Sequence, residues 1–337
     1  MASAPLVPTA VIGAGSWGTA LASLLAANGQ PTRLWARNAQ QVAEMATHHR
    51  NERYLPGVAL PQALQFSADL AATLAQAQDV LIVVPSSVFR STIEAVAPHL
   101  TTDFRLIWAT KGFEIGTGKL CHQVVAEVLG DDHPMAVISG PNFAVEVAKG
   151  MPTALTVASR NEAFAAELAA RLHNRAFRAY TSSDVIGVEV GGSVKNVLAI
   201  AAGISDGLGC GANARAALIT RGLTEVMRLG VALGGERETF MGLTGLGDLI
   251  LTCTDDQSRN RRFGLALGRG ESMSAARGGI NQVVEGIHAA KEAARLAATF
   301  GIEMPISEQV YQVVCGHCTP REAVSQLLHR ERKPESA

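Results

Sequence analysis

The feature that most limits what this chain can become lies near its start. In "TAVIGAGSWGTALASLLAANG" an apolar run leads into Gly13, Gly15 and Gly18, and then into a helical pattern that ends at Gly29. The G-x-G-x-x-G spacing alone is weak, but a strand before it and a helix after it give it meaning. The first glycine permits a tight turn. The second lets a pyrophosphate approach the backbone, and the third lets helix and strand pack closely. The helix start then offers unpaired N–H groups to the anion. The segment predicts a dinucleotide-binding strand–turn–helix unit at the head of the chain.

Beyond Gly29 the chain keeps the same alternation. "TRLWAR", "DVLIVVP", "FRLIWATKG", "MAVISGPNF", "PTALTVAS" and "AFRAY" read as strands, with helical patterns such as "NEAFAAELAARLHN" among them. Strands alternating with helices predict an α/β fold with a parallel sheet covered on both faces. From "TSSDVIGVE" onward the pattern is helical, with Gly-rich turns and no convincing strand, and Ser182, Ser183 and Asp184 are candidate N-caps. The boundary is expected near residues 181–184, giving domains of 1–182 and 183–337. A length of 337 residues suits two domains.

Composition narrows the class of function. With 47% hydrophobic residues, 18% charged and a net charge of −1, the chain is a globular protein without a global field for nucleic acid or anionic membrane. No window of 18 residues lacks polar groups, so no membrane insertion is expected. The N-terminus lacks a basic leader segment and reads as a first strand. Five cysteines at irregular spacing make no disulfide framework. Together these predict a cytoplasmic protein.

Two positive charges stand out. Arg37, in "LWARN", lies nineteen positions after Gly18, where a site for NAD would usually carry a carboxylate for the ribose hydroxyl. An arginine suits a 2′-phosphate, so NADP is the expected cofactor, with NAD as the lesser one. Lys195 sits in the apolar run "GGSVKNVLAI". A lysine whose pKa is lowered by desolvation can exchange a proton near neutral pH. Gly191 and Gly192 beside it would leave room for cofactor or substrate.

The motifs "VIGAGSWGTALA", "ATKGFE", "SGPNFAVEVAKGMPTA", "GVEVGGSVKNVLAIAAGISDGLGCGANARAALITRGLTEV", "GLTGLGDLILTCTDDQSRNRRFG" and "VVEG" occur in this order. With them the chain closely resembles the bacterial NAD(P)-dependent glycerol-3-phosphate dehydrogenases, from about residue 9 to 330. The resemblance implies a Rossmann-type N-terminal domain and an all-helical C-terminal domain. It also implies reversible reduction of dihydroxyacetone phosphate to sn-glycerol 3-phosphate, a glycerophospholipid precursor, in the cleft between them.

Carried over residue by residue, the resemblance makes Lys195 the acid/base, with Lys111 and Asp248 beside it as catalytic partners. Lys111 would touch both substrate and nicotinamide. Gly140, Asn142, Asn196, Thr252, Ser258, Arg259 and Asn260 join them on the substrate side, with Arg259 and Asn260 on the phosphate. Ser16, Trp17, Ala144, Val283, Glu285 and Arg259 join the glycines and Arg37 on the cofactor side. Arg261 and Arg262 read as solvent-facing or structurally paired. A homodimer fits the same picture.

One motif departs from it. Cys315 and Cys318 in "CGHC" have thiol-oxidoreductase spacing, but they come after the helical run "SEQVYQVV" and before "TPREAV", which predicts an inter-helix loop. Only His317 is near as a further ligand, so no metal site is expected. Two rival readings remain: a related two-domain NADP-dependent dehydrogenase of another phosphorylated hydroxy compound, and a non-catalytic NADPH-binding redox sensor. The sensor leaves Lys195 and Asp248 without a purpose.

Overall fold

The computed structural model describes residues 5–280 and 282–331. Its first half is built on one eight-stranded sheet. The strands are β1 (Thr9–Ile12), β2 (Thr32–Trp35), β5 (Gln65–Ser67), β6 (Asp79–Ile82), β7 (Arg105–Trp108), β8 (Met135–Ser139), β9 (Thr153–Ala158) and β10 (Phe177–Ser182). A separate two-stranded hairpin, β3 (Arg50–Asn51) and β4 (Leu55–Ala59), comes after the second helix. The order across the sheet is β10-β9-β8-β7-β6-β1-β2-β5. Every pairing in it is parallel except β8 with β9.

The sheet is the parallel one expected, with a single antiparallel junction. A parallel return needs a crossover long enough to span the sheet. Between β8 and β9 the chain has only a five-residue helix, α6 (Ala144–Ala148), and it comes back antiparallel. Three further strands, β3, β4 and β5, are not evident from the sequence pattern. At two, five and three residues they are too short to show a clear alternation.

Successive side chains of the central strands enter opposite cores. Val11, Leu81 and Ile107 meet α1 (Ser16–Ala27), α2 (Ala39–His48), α6 and α7 (Glu162–Leu172). Ala10, Ile12, Val80, Ile82, Leu106 and Trp108 meet α3 (Leu70–Leu74), α4 (Phe89–Val96) and α5 (Cys121–Leu129). A strand buried on both faces reads as a continuous apolar run, which is how "TAVI" and "DVLI" are written.

Beyond Ser182 the described elements are helical: α8 (Val185–Gly207), α9 (Gly211–Ala232), α10 (Arg237–Phe240), α11 (Asp248–Thr254), α12 (Arg259–Gly268), α13 (Met273–Gly278), α14 (Glu285–Phe300), α15 (Pro305–Val314) and α16 (Pro320–Leu328). Asp184 caps α8 by accepting from the Gly187 N–H at 2.7 Å. Helix α8 is the axle of this half. A helix apolar on all sides must be buried, and 20 residues of α8 are. By length and hydropathy α8 would suffice to cross a membrane, against the expectation from sequence that no segment would. In the fold, 94% of that window is buried inside the protein.

Glycines set the distance between α8 and α12. A Cβ on Gly203 would lie 2.1 Å from the Arg261 carbonyl oxygen, and one on Gly264 would lie 2.1 Å from that of Ile200. The two backbones therefore touch, and the start of α12 is held against the middle of α8.

Candidate active site

The sheet contributes the ends of three strands. Gly13 lies past β1, Lys111 just past β7, and Gly140 past β8. The edge reached by the carboxyl ends of parallel strands is where such folds bind ligands.

At the β1–α1 turn the glycines are required by contact. A Cβ on Gly18 would sit 1.9 Å from the Gly13 carbonyl oxygen, and Gly13 has φ +116 with the Val83 carbonyl oxygen 2.4 Å from where its Cβ would be. Gly15 is the N-cap of α1 and offers no side chain to its first N–H groups. Those donors face outward for an anion. Ser16 Oγ donates to the Tyr54 carbonyl at 2.6 Å, and Asn51 Nδ2 donates to the Ala14 carbonyl at 3.0 Å, so the β3–β4 hairpin is bound to the turn. Trp17 Nε1 is buried and has no hydrogen-bond partner among the described residues. An anion-ready helix start, a backbone cradle and an orphaned buried donor fit a dinucleotide.

The helical half contributes charge. Lys195, in the middle of α8, is 8% exposed. Its ammonium donates to Asp248 Oδ1 at 2.6 Å and to Thr252 Oγ1 at 2.8 Å, which accounts for two of its three donors. Lys111 Nζ donates to the other Asp248 oxygen at 2.7 Å and to the Gly140 carbonyl at 3.1 Å. Asp248 thus sits between two ammonium groups, one from each half of the molecule. Thr252, one turn on from Asp248 along α11, also donates to Asp248 Oδ1 at 3.3 Å.

Burial lowers the Lys195 ammonium to a pKa of about 8; Asp248 opposes the shift and Lys111 adds to it. Burial works to raise the Asp248 carboxyl, but Lys111 and Lys195 outweigh it and hold it below the ordinary range. The apolar run places a cation in low dielectric, and the single shared carboxylate leaves it under-compensated. Gly191 and Gly192 do not open this space to a ligand, contrary to expectation. A Cβ on Gly191 would meet the Thr244 carbonyl at 2.6 Å, and one on Gly192 would meet Ser139 Oγ at 2.9 Å, so the protein itself fills the room.

A second cluster forms at the start of α12. Ser258 is its N-cap and accepts from the Arg261 N–H at 3.2 Å. Asn260 is buried and its amide joins two elements: Nδ2 donates one hydrogen to Asn196 Oδ1 and Oδ1 accepts from the Gly286 N–H, both at 2.9 Å. Its side chain is therefore a strut between α8, α12 and α14, and what it can still offer a ligand is the second hydrogen of Nδ2 and its backbone N–H in the first helical turn. Arg259 donates from Nη1 to Gln282 Oε1 at 2.7 Å. Burial lowers its pKa, with Glu285 opposing. Arg261 is paired with Asp206 and Asp256, as expected of a structural arginine, and Arg262 is exposed.

The remaining cofactor-side residues, with Asn142 from the substrate side, are spread over both halves. Glu285 opens α14 and accepts from Ser86 Oγ at 2.8 Å, bridging the halves, and burial raises its carboxyl pKa. Val283 is 40% exposed. Asn142 holds the Ala154 carbonyl through Nδ2 at 2.9 Å while its buried Oδ1 has no partner. Ala144 begins α6. Arg37 is exposed past the end of β2 and makes no hydrogen bond or ion pair with any described residue. Its neighbour Asn38 caps α2 through Oδ1, accepting from the Gln41 N–H at 3.0 Å.

Residues that sequence reasoning passes over include Tyr54, Ser86, Ser139 and Gln282. Ser139 Oγ is buried beside Lys111 without a partner. Its only sequence signal is adjacency to Gly140. Among the described residues no group of three or more His, Cys, Asp or Glu side chains is placed to hold a metal ion. Cys315 and Cys318 are free thiols in the turn between α15 and α16.

Family comparison covers both halves of the chain. The profile of the NAD-dependent glycerol-3-phosphate dehydrogenase N-terminus matches residues 8–165, and that of the C-terminus of the same family matches residues 184–325. The chain is 58% identical over 329 residues to the glycerol-3-phosphate dehydrogenase (NAD(P)+) of Nitrosococcus oceani, covering 98% of this chain and 96% of that one. It is 54% identical to the enzyme of that name from Pasteurella multocida, covering 97% and 98%. The crystal structure of glycerol-3-phosphate dehydrogenase from Coxiella burnetii superposes with a TM-score of 0.93 at 51% identity, covering 96% of this chain and 99% of that one. A ketopantoate reductase family structure from Ralstonia eutropha, at 18% identity and a TM-score of 0.57, shares the fold alone.

Proposed function

The chain belongs to the NAD-dependent glycerol-3-phosphate dehydrogenase family, and on that premise we propose that it interconverts dihydroxyacetone phosphate and sn-glycerol 3-phosphate, supplying glycerophospholipid synthesis. The observation that carries the reading is Asp248 shared between Lys111 and Lys195.

Bound, the dinucleotide supplies or takes the hydride. The chain does the rest. In reduction the C2 oxygen becomes an alkoxide and must receive a proton. Lys195, held below its ordinary pKa by burial, gives it, and in oxidation the neutral amine takes it back. Asp248 fixes the position of Lys195 and keeps it charged up to about pH 8. Lys111 stabilises the developing oxyanion from the sheet side. Asn142, Gly140 and Asn196 shape the pocket around the carbon skeleton, with Thr252 behind Lys195.

The phosphate lies at the start of α12, held by Arg259 and by the first N–H groups that Ser258 leaves open, including that of Asn260. Such a site combines a charge-assisted contact with the positive end of a helix. On the cofactor side, Gly13, Gly15, Ser16, Trp17 and Gly18 take the pyrophosphate. Ala144, Val283, Glu285 and Arg259 line the nicotinamide half, and Arg37 takes a 2′-phosphate, which gives NADPH the preference over NADH. We assign residues 1–182 to the dinucleotide domain and 183–337 to the catalytic one. The same reading makes it a cytoplasmic enzyme of small molecules, without nucleic acid or membrane insertion, and compatible with a homodimer.

The test is absorbance at the reduced-nicotinamide band with dihydroxyacetone phosphate, comparing NADPH with NADH and the phosphorylated ketone with its unphosphorylated parent. Turnover confined to the phosphorylated ketone is expected. Equal use of the unphosphorylated ketone removes the phosphate site from the account.

A further inference from the structure

One half-buried side chain joins the substrate-phosphate site to the dinucleotide turn without belonging to either. Gln282 Oε1 accepts from Arg259 Nη1 at 2.7 Å. Its Nε2 donates to Ser16 Oγ at 3.3 Å, and Ser16 Oγ in turn donates to the Tyr54 carbonyl at 2.6 Å. Donation therefore runs one way along four residues, from the guanidinium to the hairpin, across the gap between the helical half and the sheet half. Bonds chained in one direction polarise one another.

The direction also fixes the amide. Turned over, Gln282 would set its NH2 against a guanidinium, donor to donor. Its oxygen would then face a Ser16 hydroxyl whose hydrogen already belongs to Tyr54. Only one orientation of the amide satisfies both neighbours. A carboxylate in its place would neutralise Arg259, whereas the amide orients the cation and leaves its charge intact. Gln282 uses only Nη1, and among the described residues Nε and Nη2 of Arg259 have no hydrogen-bond partner. That free edge is the one that grips a phosphate bidentately.

We propose that Gln282 is a positioning residue that couples the two sites: a dinucleotide seated on the Ser16 turn steadies Gln282, which presents Arg259 to the substrate phosphate. The proposal rests on the phosphate role of Arg259. Coupling of this kind is reciprocal, so each ligand tightens the other by the same factor.

The experiment is calorimetric titration of glycerol 3-phosphate into the full-length protein, with and without saturating NADPH. Both ligands are in their reduced form, so no turnover intervenes. In the wild type NADPH is expected to tighten glycerol 3-phosphate by about five- to a hundredfold, the usual range of coupling between sites. Gln282→Met keeps the side chain's length but loses both hydrogen bonds, and should bring that ratio close to one. Gln282→Glu should weaken glycerol 3-phosphate binding further, because the new carboxylate pairs with Arg259 and repels the phosphate. In both variants KM for dihydroxyacetone phosphate should rise more than kcat falls, and thermal stability should hold. A side chain with a merely structural role would not move the coupling ratio. A wild-type ratio of one, or a ratio unchanged in Gln282→Met, overturns the proposal. Arg259→Ala separates the two failures: if it leaves glycerol 3-phosphate binding intact, it is the phosphate reading beneath the proposal that fails.

Discussion

The first turn of α1 and the middle of α8 face the same chemistry with opposite means. At α1, where we propose that the dinucleotide binds, the protein offers backbone: bare N–H groups and two glycines whose missing Cβ atoms let carbonyls and helix close up. At α8 it buries a lysine among valines, leucine and isoleucine and compensates it with a carboxylate from another helix, itself shared with a lysine from the sheet. Backbone binding is written into eight consecutive residues. The buried charge cluster is defined at a distance: Asp248 is 53 positions from Lys195 and 137 from Lys111. Substitutions at the two places should therefore fail differently, one by losing binding and the other by losing chemistry.

The largest expected effect lies at α8. Lys195→Ala should lower kcat by roughly a hundredfold to ten-thousandfold, the worth of a general acid, while NADPH affinity measured by fluorescence titration stays near the wild-type value. A matching loss of cofactor affinity would dissolve the contrast. The pH profile sharpens the same point. Lys195 must be charged for reduction and neutral for oxidation, so reduction should fall as pH rises through about 8 and oxidation should rise to a plateau there. Asp248→Asn removes the carboxylate that opposes burial, and should move that break to lower pH.

Next in size is the start of α12, where backbone and side chain act together. Truncating one partner of a buried charge contact typically costs about 2–5 kcal/mol, and Arg259→Ala should lower kcat/KM for dihydroxyacetone phosphate accordingly. Preference for the phosphorylated ketone, assayed against its parent, should collapse with it. A smaller change belongs at the end of β2. Arg37→Asp should reduce kcat/KM with NADPH by about ten- to a hundredfold, the range for hydrogen bonds to charged groups, and leave NADH use similar or better. An unaltered NADPH/NADH ratio would make Arg37 a surface arginine only. The smallest effect is expected far from the cleft: Cys315→Ser with Cys318→Ser should leave activity and melting temperature nearly unchanged under reducing and oxidising conditions alike. A redox response lost in that pair would bring back the sensor reading.

The two halves also differ in how much of each is legible along the chain. The strand runs from "TAVI" to "AFRAY" are legible because a strand buried on both faces is an apolar run in any context. The hairpin at residues 50–59 is not, since its strands are short and half exposed and owe their place to Asn51 reaching the Ala14 carbonyl and to Ser16 of α1 reaching the Tyr54 carbonyl. Asn260 shows the same limit in the site itself. Its motif points to a ligand, and its amide also bridges Asn196 and Gly286, 64 and 26 residues away, which spacing along the chain does not show. Glu189 gives no signal at all: its carboxylate accepts from Trp108 Nε1 at 2.9 Å and from the His122 N–H at 3.0 Å, tying α8 to β7 and α5.

By itself, then, the sequence determined the α/β character of the first half, the helical character of the second, the glycine turn and the oddity of a lysine in an apolar helix. These are local properties: backbone conformation, hydrophobic period and the absence of a Cβ act over one turn or one strand. Tertiary structure alone decided that β9 runs against β8, that Asp248 gives one oxygen to Lys111 and the other to Lys195, that Gly191 and Gly192 make room for protein and not for ligand, and that Gln282 spans the cleft. Each of these depends on which distant groups share a low-dielectric space or a close backbone contact, and a distance across the fold has no counterpart in spacing along the chain.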